Sequence, residues 1–318
     1  MKILITGGAG FIGSHLAGYF LNKEAEVTVI DDLSTGDFKN IELYRNNKKY
    51  RFVVDDILNE QILDRLIAEN EVVIHLAAAV GVKMIVDEPV RVIRANVQGT
   101  EVVLKIANRY KRKILITSTS EVYGKSSALP FTEESDLVLG PTSKQRWAYA
   151  CSKAIDEFSA LAYYKEYNLP VIIVRLFNVI GPRQTGRYGM VVPRFIEQAL
   201  ASKPLTVYGT GEQSRCFMDV GDLLEALHNL IHKKEAVGQV FNLGSEREIT
   251  INELARLVKH TAKSKSEIET IPYEKAYEKG FEDMLRRVPD ISKSKKLIGF
   301  EPKISLEQSI QNIIQYQE

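Results

Sequence analysis

The sequence has little of what several large classes of protein require. Only two of its 318 residues are cysteine, Cys151 and Cys216, too few for a disulfide framework, which fits a reducing compartment. No apolar run reaches the roughly 18–20 residues that a membrane-spanning helix needs. The opening MKILITGGAG leads from a short apolar stretch into glycines, without the pattern of a secretory signal. We therefore expect a cytoplasmic protein that has no membrane partner.

The chain also lacks an excess of charge and a set of metal ligands. Its 42 Lys and Arg against 41 Asp and Glu give a formal net charge of +1, so no field would attract nucleic acid. The hydrophobic content of 45% is that of a globular protein, and the length suffices for two domains. We expect no metal site, because no ligand motif connects the five histidines, which are His15, His75, His228, His232 and His260.

Short β-rich runs alternate with amphipathic segments in the first half of the chain. Two of the amphipathic segments, 59–69 and 97–110, have the apolar spacing of helices. The alternation predicts an α/β fold with a Rossmann doubly wound parallel sheet and helices on both faces. The predicted strands are 2–6, 27–30, 51–54, 72–76, 113–118 and 171–176.

The pattern becomes less regular after about residue 180. The run VFNLGS indicates one more strand, and Thr250 and Glu253 have the spacing of a capping box before a helix. We predict a first domain over residues 1–180 and a smaller C-terminal α/β domain over 181–318. Within the second half, roughly residues 217–245 are expected to return to the first sheet.

A glycine-rich turn joins the first predicted strand to the first predicted helix. Gly7, Gly8, Gly10 and Gly13 satisfy both GxGxxG and GxxGxxG, which bring backbone N–H groups close to a pyrophosphate at a helix N-terminus. Asp31 ends the next strand, near the spacing of about 20 residues at which a carboxylate binds a ribose 2′-hydroxyl and repels a 2′-phosphate. The first domain is therefore predicted to bind NAD in preference to NADP.

Residues in the same turn and at later strand ends complete the predicted NAD site. Asp56 follows the third predicted strand and is placed to contact the adenine. The small residues of HLAAAV follow the fourth strand and let a pyrophosphate or ribose pass close to the backbone. The remaining predicted cofactor contacts are Phe11, Ile12, Asp32, Ile57, Leu76, Ala77, Ala78, Tyr149 and Lys153.

Tyr149 and Lys153, in the stretch RWAYACSK, lie one helical turn apart on one face of a helix. A phenol has a pKa of about 10, and both a lysine ammonium and an oxidised nicotinamide favour its phenolate form. Such a tyrosine can remove the proton of a sugar hydroxyl while hydride leaves the same carbon for NAD. Thr119 and Ser120 follow a strand and are placed to share the hydrogen bond to that hydroxyl.

The chain resembles the extended short-chain dehydrogenase/reductases, specifically the NAD-dependent nucleotide-sugar epimerases, dehydratases and decarboxylases. The resemblance implies tightly held NAD, a Ser/Thr–Tyr–Lys catalytic set and a nucleoside diphosphate-sugar, UDP-linked, that is oxidised at C4. It also implies a homodimer formed by helices near 97–110 and 147–165. It covers nearly the whole chain and rests on TGGAGFIG, DDLSTG, HLAA, NVQGT, STSEVYG, YACSK, RLFNVIGPR, VYGTGEQSRCF and RRVPDISKSKKLIGFEP.

The resemblance also implies a set of substrate contacts in the second half of the chain. Asn178 matches a position that contacts the diphosphate, and Arg215 and Arg287 match arginines that bind it with their forked donors. Tyr208 is a candidate for packing against the nucleobase, with a plain core aromatic as the alternative. Val192 completes the predicted substrate site.

Glu121, directly after Thr119 and Ser120, bears on which reaction follows the shared 4-keto sugar. Many 4-epimerases carry no acid at this position, whereas dehydratases and UDP-glucuronate decarboxylases do. The segments around RLFNVIGPR and VYGTGEQSRCF, in contrast, resemble UDP-sugar 4-epimerases. We expect a 4-epimerase of UDP-glucose/galactose or UDP-glucuronate/galacturonate. The alternative is a UDP-glucuronate decarboxylase, followed by a 4,6-dehydratase and by a non-catalytic NAD-binding regulatory protein.

Overall fold

Strands and helices alternate through the first half of the chain, as the apolar periodicity predicts. The structure, a computed structural model, describes residues 1–81, 88–186, 189–276 and 284–317. Its strands are β1 (Lys2–Thr6), β2 (Glu26–Asp31), β3 (Tyr50–Val54), β4 (Val72–His75), β5 (Lys113–Thr119), β6 (Val171–Leu176), β7 (Asn178–Ile180), β8 (Leu205–Tyr208), β9 (Ser214–Asp219), β10 (Gln239–Leu243), β11 (Glu248–Thr250) and β12 (Ile268–Ile271).

Helices connect most of these strands. Within the described ranges, none of them is both long enough and apolar enough to cross a membrane. The α-helices are α1 (Phe11–Asn22), α2 (Lys39–Glu42), α3 (Glu60–Glu69), α4 (Pro89–Ile93), α5 (Gly99–Arg109), α6 (Arg146–Tyr167), α7 (Val191–Leu200), α8 (Val220–His232), α9 (Ile251–Thr261), α10 (Tyr273–Ala276), α11 (Ser292–Ile298) and α12 (Leu306–Gln317). A π-helical segment, Arg94–Gln98, connects α4 to α5, and 3₁₀ turns cover Ser120–Tyr123 and Lys234–Ala236.

Seven strands form one parallel sheet in the order β10-β6-β5-β4-β1-β2-β3. Side chains alternate between its faces, so that Ile3 and Ile5 of β1 face one layer of helices and Leu4 faces the other. The carboxyl ends of these parallel strands share one edge, where doubly wound folds bind their ligands. The predicted Rossmann sheet with helices on both faces is confirmed.

Each face of the sheet is covered by its own hydrophobic core. Helices α1 and α8 pack on one face, and helices α3, α5 and α6 pack on the other. Burial of each large apolar side chain contributes about 1.5–3 kcal/mol relative to its exposure, which is why these amphipathic segments settle on the sheet. Buried side chains on the two faces include Leu16, Phe20, Leu223, Leu227, Leu63, Leu66, Leu104 and Ala160.

A third core lies under the remaining elements of the second half. It is built around α7, α9 and α12, with Phe195, Leu254 and Ile313 fully buried or nearly so. The capping box at the start of α9 is present, with the Thr250 side chain bonded to the Glu253 N–H and the Glu253 side chain to the Thr250 N–H. Strand β10 pairs in parallel with β6 at the edge of the main sheet. The division into two domains at residue 180 stays a prediction.

Candidate active site

A cavity of about 1400 Å³ lies between the carboxyl edge of the main sheet and the elements that follow residue 180. Every residue that the sequence predicts for cofactor binding, catalysis or substrate binding lines it. These residues come from the glycine turn, the ends of four sheet strands, helix α6 and the second half. The structure thus brings together residues that are far apart along the chain.

The glycine turn leaves the start of α1 open toward the cavity. A Cβ on Gly13 would lie 2.3 Å from the Gly7 carbonyl oxygen, so the turn and the helix approach too closely for any side chain there. Gly7 has φ +70°, a conformation that glycine tolerates best. A Cβ on Gly10 would lie 3.3 Å from the same Gly7 oxygen, and the first turn of α1 carries no acidic residue. The backbone N–H groups and the helix dipole therefore suit the pyrophosphate of NAD.

Asp31 has a structural role that the sequence did not predict. Its side chain is buried, and its two oxygens accept hydrogen bonds from the Ala9 N–H (2.9 Å) and the Leu33 N–H (2.8 Å). Burial raises the pKa of the Asp31 carboxyl, while these two backbone bonds act in the opposite direction. Asp31 thereby holds the glycine turn and the loop after β2 together, at the position predicted for the adenosine ribose.

Other predicted cofactor contacts are held by local backbone geometry. Asp32 accepts from the Ser34 N–H and Asp56 from the Leu58 N–H, both at 2.9 Å, so each carboxylate orders the loop that carries it. Ile57, Leu76, Ala77 and Ala78 form apolar wall beside these loops. Phe11 and Ile12 lie in the first turn of α1. The arrangement fits a nucleotide that passes across the ends of β1, β2, β3 and β4.

Tyr149 is half-buried in the cavity wall, and its hydroxyl is hydrogen-bonded to the Thr119 side chain. Burial, assisted by the negative charges of Glu121 and Asp156, raises the pKa of the Tyr149 phenol well above its ordinary value. Thr119 and Arg287 act in the opposite direction but are weaker. The chain by itself therefore keeps Tyr149 protonated, and the predicted lowering of its pKa requires the positive charge of the oxidised nicotinamide.

Lys153, whose ammonium is predicted to favour the phenolate of Tyr149, is paired with a carboxylate in the structure. Its Nζ lies 2.7 Å from Oδ2 of Asp156, and both side chains are almost completely buried, with 3% and 1% exposed. Two opposite charges that are both buried are stable only when they are paired, which explains why the Lys153 ammonium lies against the Asp156 carboxylate. Asp156 was not among the predicted site residues.

Buried polar contacts fix helix α6 on the sheet. The Arg175 guanidinium of β6 forms a two-pronged ion pair with the Glu157 carboxylate of α6, with an NH2–Oε2 distance of 2.7 Å. Ser118 donates to the same carboxylate, and the Tyr123 ring lies 4.8 Å from the arginine. Such a bidentate pair sets geometry as well as energy, so α6 presents its residues to the cavity in one orientation.

Asn96, which the sequence reasoning missed, connects the cofactor wall to α6. Its Oδ1 accepts from the Ala79 N–H at 2.9 Å, and its Nδ2 donates to Ser152 Oγ at 3.1 Å. Ser152 in turn donates to the carbonyl oxygen of Tyr149 at 2.8 Å. Asn96 lies in the π-helical segment, a form that is frequent at functional sites. In the sequence, Asn96 stands in the segment NVQGT, one of the motifs on which the family resemblance rests.

Glu121, Arg287 and Asn178 form a connected group at the other end of the cavity. Arg287 NH1 donates to Glu121 Oε1 at 3.3 Å, and Arg287 NH2 donates to Asn178 Oδ1 at 2.7 Å. Asn178 Nδ2 donates to the Cys216 carbonyl oxygen. Because both ends of this amide are engaged within the protein, Asn178 orients Arg287, a role that adds to its predicted diphosphate contact. Ser120 is buried beside Glu121.

The remaining predicted substrate residues line the far side of the cavity. Arg215 is buried, and its NH1 donates to the Ser214 carbonyl oxygen at 2.7 Å. Tyr208 is half-buried, with the Arg194 guanidinium 3.9 Å from its ring centroid, and its packing against a nucleobase stays a prediction. Val192 is buried at the start of α7. Across the described ranges, no cluster of three or more His, Cys, Asp or Glu could hold a metal ion.

Comparison with known sequences gives matches over nearly the full length. The profile of the GDP-mannose 4,6 dehydratase family matches residues 4–313. A UDP-N-acetyl-alpha-D-glucosaminuronate decarboxylase of Bacillus cytotoxicus is 41% identical over 99% of this chain and 97% of the relative. UDP-glucuronic acid decarboxylase 1 of Danio rerio is 36% identical over 99% of this chain and 72% of the relative. These names support the decarboxylase alternative better than the expected 4-epimerase.

Comparison with solved structures gives the same fold. A UDP-glucuronic acid 4-epimerase from Bacillus cereus, in complex with UDP-glucuronic acid and NAD, has a TM-score of 0.89 and 30% sequence identity. The match covers 99% of this chain and 98% of that structure. The similarity agrees with a Rossmann sheet that holds NAD and with a cavity that accepts a nucleotide sugar.

Proposed function

Because the chain belongs to the GDP-mannose 4,6-dehydratase family, whose members use NAD on nucleotide sugars, we propose that it oxidatively decarboxylates a UDP-linked uronate. The observation that carries this proposal is the Glu121–Arg287 pair beside Tyr149, at the sugar end of the cavity. The 41% identity to a UDP-N-acetyl-alpha-D-glucosaminuronate decarboxylase supports a uronate and makes its 2-acetamido form the first substrate to test.

A buried arginine at this position suits a sugar that carries its own carboxylate. The Arg287 side chain is 9% exposed, and Asn178 fixes the direction of its guanidinium. An anion that leaves water requires a hydrogen-bonded cation, and the forked donors of arginine match a carboxylate. UDP-glucose carries no carboxylate and would bring this guanidinium no anionic group of its own.

The residues of the chain then divide the proton transfers between them. Tyr149 removes the proton of the C4 hydroxyl as hydride leaves C4, which makes a 4-keto sugar. NAD would be held by the glycine turn and the loops after β2, β3 and β4, and it would supply the acceptor and later the donor of that hydride. The ketone places the C5 carboxylate in a β-keto acid, so the C5–C6 bond breaks, CO₂ leaves, and the electron pair remains as a C4–C5 enolate. A proton is then added at C5, hydride returns to C4, and Tyr149 returns its proton to the C4 oxygen.

Glu121 is the acid best placed to serve C5 in this sequence. It follows Thr119, which is hydrogen-bonded to Tyr149, and its own charge acts on the phenol of Tyr149. The net reaction consumes one proton and releases CO₂, with NAD unchanged at the end. A carboxylic acid beside C5 can supply that proton or hold the enolate while solvent supplies it.

Product analysis in D₂O tests this proposal. The purified protein with NAD is incubated with UDP-glucuronate, with UDP-N-acetylglucosaminuronate and, as the control without a carboxylate, with UDP-glucose. We expect release of one CO₂ and a UDP-pentose or its 2-acetamido form, with one deuterium at C5, detected by mass spectrometry and NMR. A product of unchanged mass without deuterium would overturn the proposal in favour of 4-epimerisation.

The second candidate is a UDP-uronate 4-epimerase, favoured by the structural similarity to the Bacillus cereus enzyme at a TM-score of 0.89. A 4-epimerase needs the same C4 oxidation but no proton transfer at C5. An acid at position 121 therefore has less to do in this reaction than in decarboxylation. The same substrates, with UDP-glucuronate and UDP-galacturonate both followed, distinguish the two.

A homodimer through α5 and α6 is supported by exposed apolar side chains. Cys151, Ile155, Phe158 and Ala162 follow one another on one face of α6, and Phe158 is 70% exposed. A surface helix that leaves such a stripe uncovered is typical of an interface. We expect sedimentation to give the mass of a dimer, and Phe158→Glu to give a monomer that still binds NAD. A monomeric native protein would exclude this arrangement.

A further inference from the structure

A chain of buried polar groups runs behind the cavity wall from the catalytic helix to the cofactor loop. Lys153 Nζ donates to Asp156 Oδ2 at 2.7 Å, and the Thr100 side chain of α5 acts on the same carboxylate, whose Oδ1 is buried without a hydrogen-bond partner. Thr100 Oγ1 lies 3.1 Å from Nε2 of His75, and Nδ1 of His75 lies 2.8 Å from Thr6 Oγ1. All five side chains are buried, in a protein interior where polar groups need partners.

The directions of these hydrogen bonds are fixed from both ends. Burial and the charge of Lys153 lower the pKa of His75 to about 3, so its ring is neutral and Nδ1 accepts from the Thr6 hydroxyl. Thr6 Oγ1 in turn accepts from the Ala77 N–H at 3.1 Å. The Nε2–H of His75 then donates to the Thr100 hydroxyl, whose own proton is available to the Asp156 carboxylate, which can only accept.

The far end of this chain lies in the cofactor wall. Ala77 lines the cavity, and its N atom would be 2.8 Å from a Cβ on Gly7, so the loop after β4 lies tightly against the glycine turn. The near end is Lys153, which lines the cavity beside Tyr149. Asp156 is therefore the one carboxylate in this network of buried polar groups. The network reaches the cavity wall at Lys153 and at Ala77.

The charges around Tyr149 come from several elements and are mostly paired. On α6, Asp156 pairs with Lys153, and Glu157 pairs with Arg175 of β6. After β5, Glu121 pairs with Arg287 of the C-terminal segment. His75 of β4 is neutral, and Thr100 of α5 contributes a hydroxyl. Removal of Asp156 alone would therefore leave one uncompensated positive charge, that of Lys153, near the phenol.

We propose that Asp156 is a positioning residue of the active site, which holds the Lys153 ammonium and sets the pH at which Tyr149 becomes a base. Its carboxylate cancels the charge of Lys153 in the resting protein and keeps Tyr149 protonated. The Asp156 carboxylate thereby limits how far the positive charge of Lys153 lowers the pKa of Tyr149. This inference concerns the C4 oxidation that all the reactions considered above share, so it rests on the proposed function only in that step.

The experiment compares the ionisation of Tyr149 in the NAD-bound protein with that in Asp156→Asn. Asparagine keeps the size and an acceptor oxygen but removes the charge. An ultraviolet difference titration against Tyr149→Phe isolates this phenol from the other 13 of the 14 tyrosines. We expect the Tyr149 pKa to fall by on the order of one unit, and the acid limb of the rate of NADH formation to move to lower pH by the same amount.

Thr100→Val is the matched variant, because it breaks the chain beyond Asp156 and leaves the carboxylate with Lys153. We expect its Tyr149 pKa to equal that of the native protein. An unchanged pKa in Asp156→Asn, or an equal shift in Thr100→Val, would overturn the proposal and leave Asp156 as a packing residue. If Asp156→Asn does not fold, Asp156→Ser removes the same charge. The titration needs no sugar, so its outcome is independent of whether the product is decarboxylated.

Discussion

Arg287 NH1 lies 3.3 Å from Glu121 Oε1, although 166 residues separate the two along the chain. The pair joins the loop after β5 to the C-terminal segment and lies at the end of the cavity that we propose for the sugar. Its position beside Tyr149 gives the site an acid and a cation that C4 oxidation alone does not require. The first prediction therefore concerns this pair.

Glu121→Gln should separate C4 oxidation and the loss of CO₂ from protonation at C5 and the return of hydride. Glutamine keeps a hydrogen bond to Arg287 but cannot supply a proton, so C4 oxidation should continue while protonation at C5 becomes slow. We expect turnover to fall by about 10²-fold, with a 4-keto sugar and NADH accumulating, followed by absorbance and mass spectrometry. Glu101→Gln, on the exposed surface of α5, is the control. A mild loss without NADH accumulation would instead agree with a 4-epimerase.

Tyr149→Phe should abolish oxidation without altering the fold. The phenol is the group within reach of the Thr119 hydroxyl, and its loss removes the general base, so we expect turnover to fall by at least about 10²-fold. NAD affinity, measured by calorimetry, should change little. Tyr164→Phe, on the exposed side of the same helix, should retain full turnover. Comparable turnover in both variants would contradict the assignment.

Asp31→Ala should weaken NAD binding for two reasons. It removes the predicted partner of the ribose hydroxyl, and it leaves the N–H groups of Ala9 and Leu33 without their acceptor, at a cost of about 1–3 kcal/mol for each that stays buried. We expect a lower melting temperature, weaker NAD binding and a smaller preference for NAD over NADP. Asp136→Asn, at an exposed position outside the cavity, serves as the control. A native preference for NADP would refute the prediction.

His75 should make the protein less stable in mild acid. The pKa of His75 is about 3 in the folded chain, against an ordinary value of 6.5. Below pH 6.5 the imidazole is therefore protonated in the unfolded chain but stays neutral in the folded chain. Stability from this group is therefore complete above pH 6.5 and is lost as the pH falls toward 3, with a loss of about 2 kcal/mol by pH 5. Denaturant unfolding of native protein and His75→Gln, compared at pH 7 and pH 5, measures this difference.

The matching control for that measurement is His260→Gln, because His260 is exposed near the end of α9. It should show the same pH dependence as the native protein, whereas His75→Gln should show a shallower one. Equal slopes in all three proteins would indicate that His75 titrates normally in the folded state.

Sequence reasoning succeeded where short-range patterns decide the structure. The six predicted strands of the main sheet, the capping box of Thr250 and Glu253 and the spacing of Tyr149 and Lys153 depend on neighbours within a few residues. The pairing of Lys153 with Asp156 did not follow, because an acid three residues after a lysine is usually an exposed helical pair. Only the packing of α6 against α5 and β5 buries it. The Glu121–Arg287 contact was likewise a long-range result of folding.

Strand β10 has a consequence for anyone who would exchange parts between relatives. It lies at the edge of the main sheet and bonds to β6 along its length, although β9 before it and β11 after it belong to another sheet. A chimera that took all residues after 180 from a relative would therefore also replace β10, one strand of the main sheet, with the relative's strand. Substrate selectivity is better transplanted as two separate inserts, one on each side of β10, with the host's own edge strand retained to protect the exposed border of β6 from intermolecular pairing.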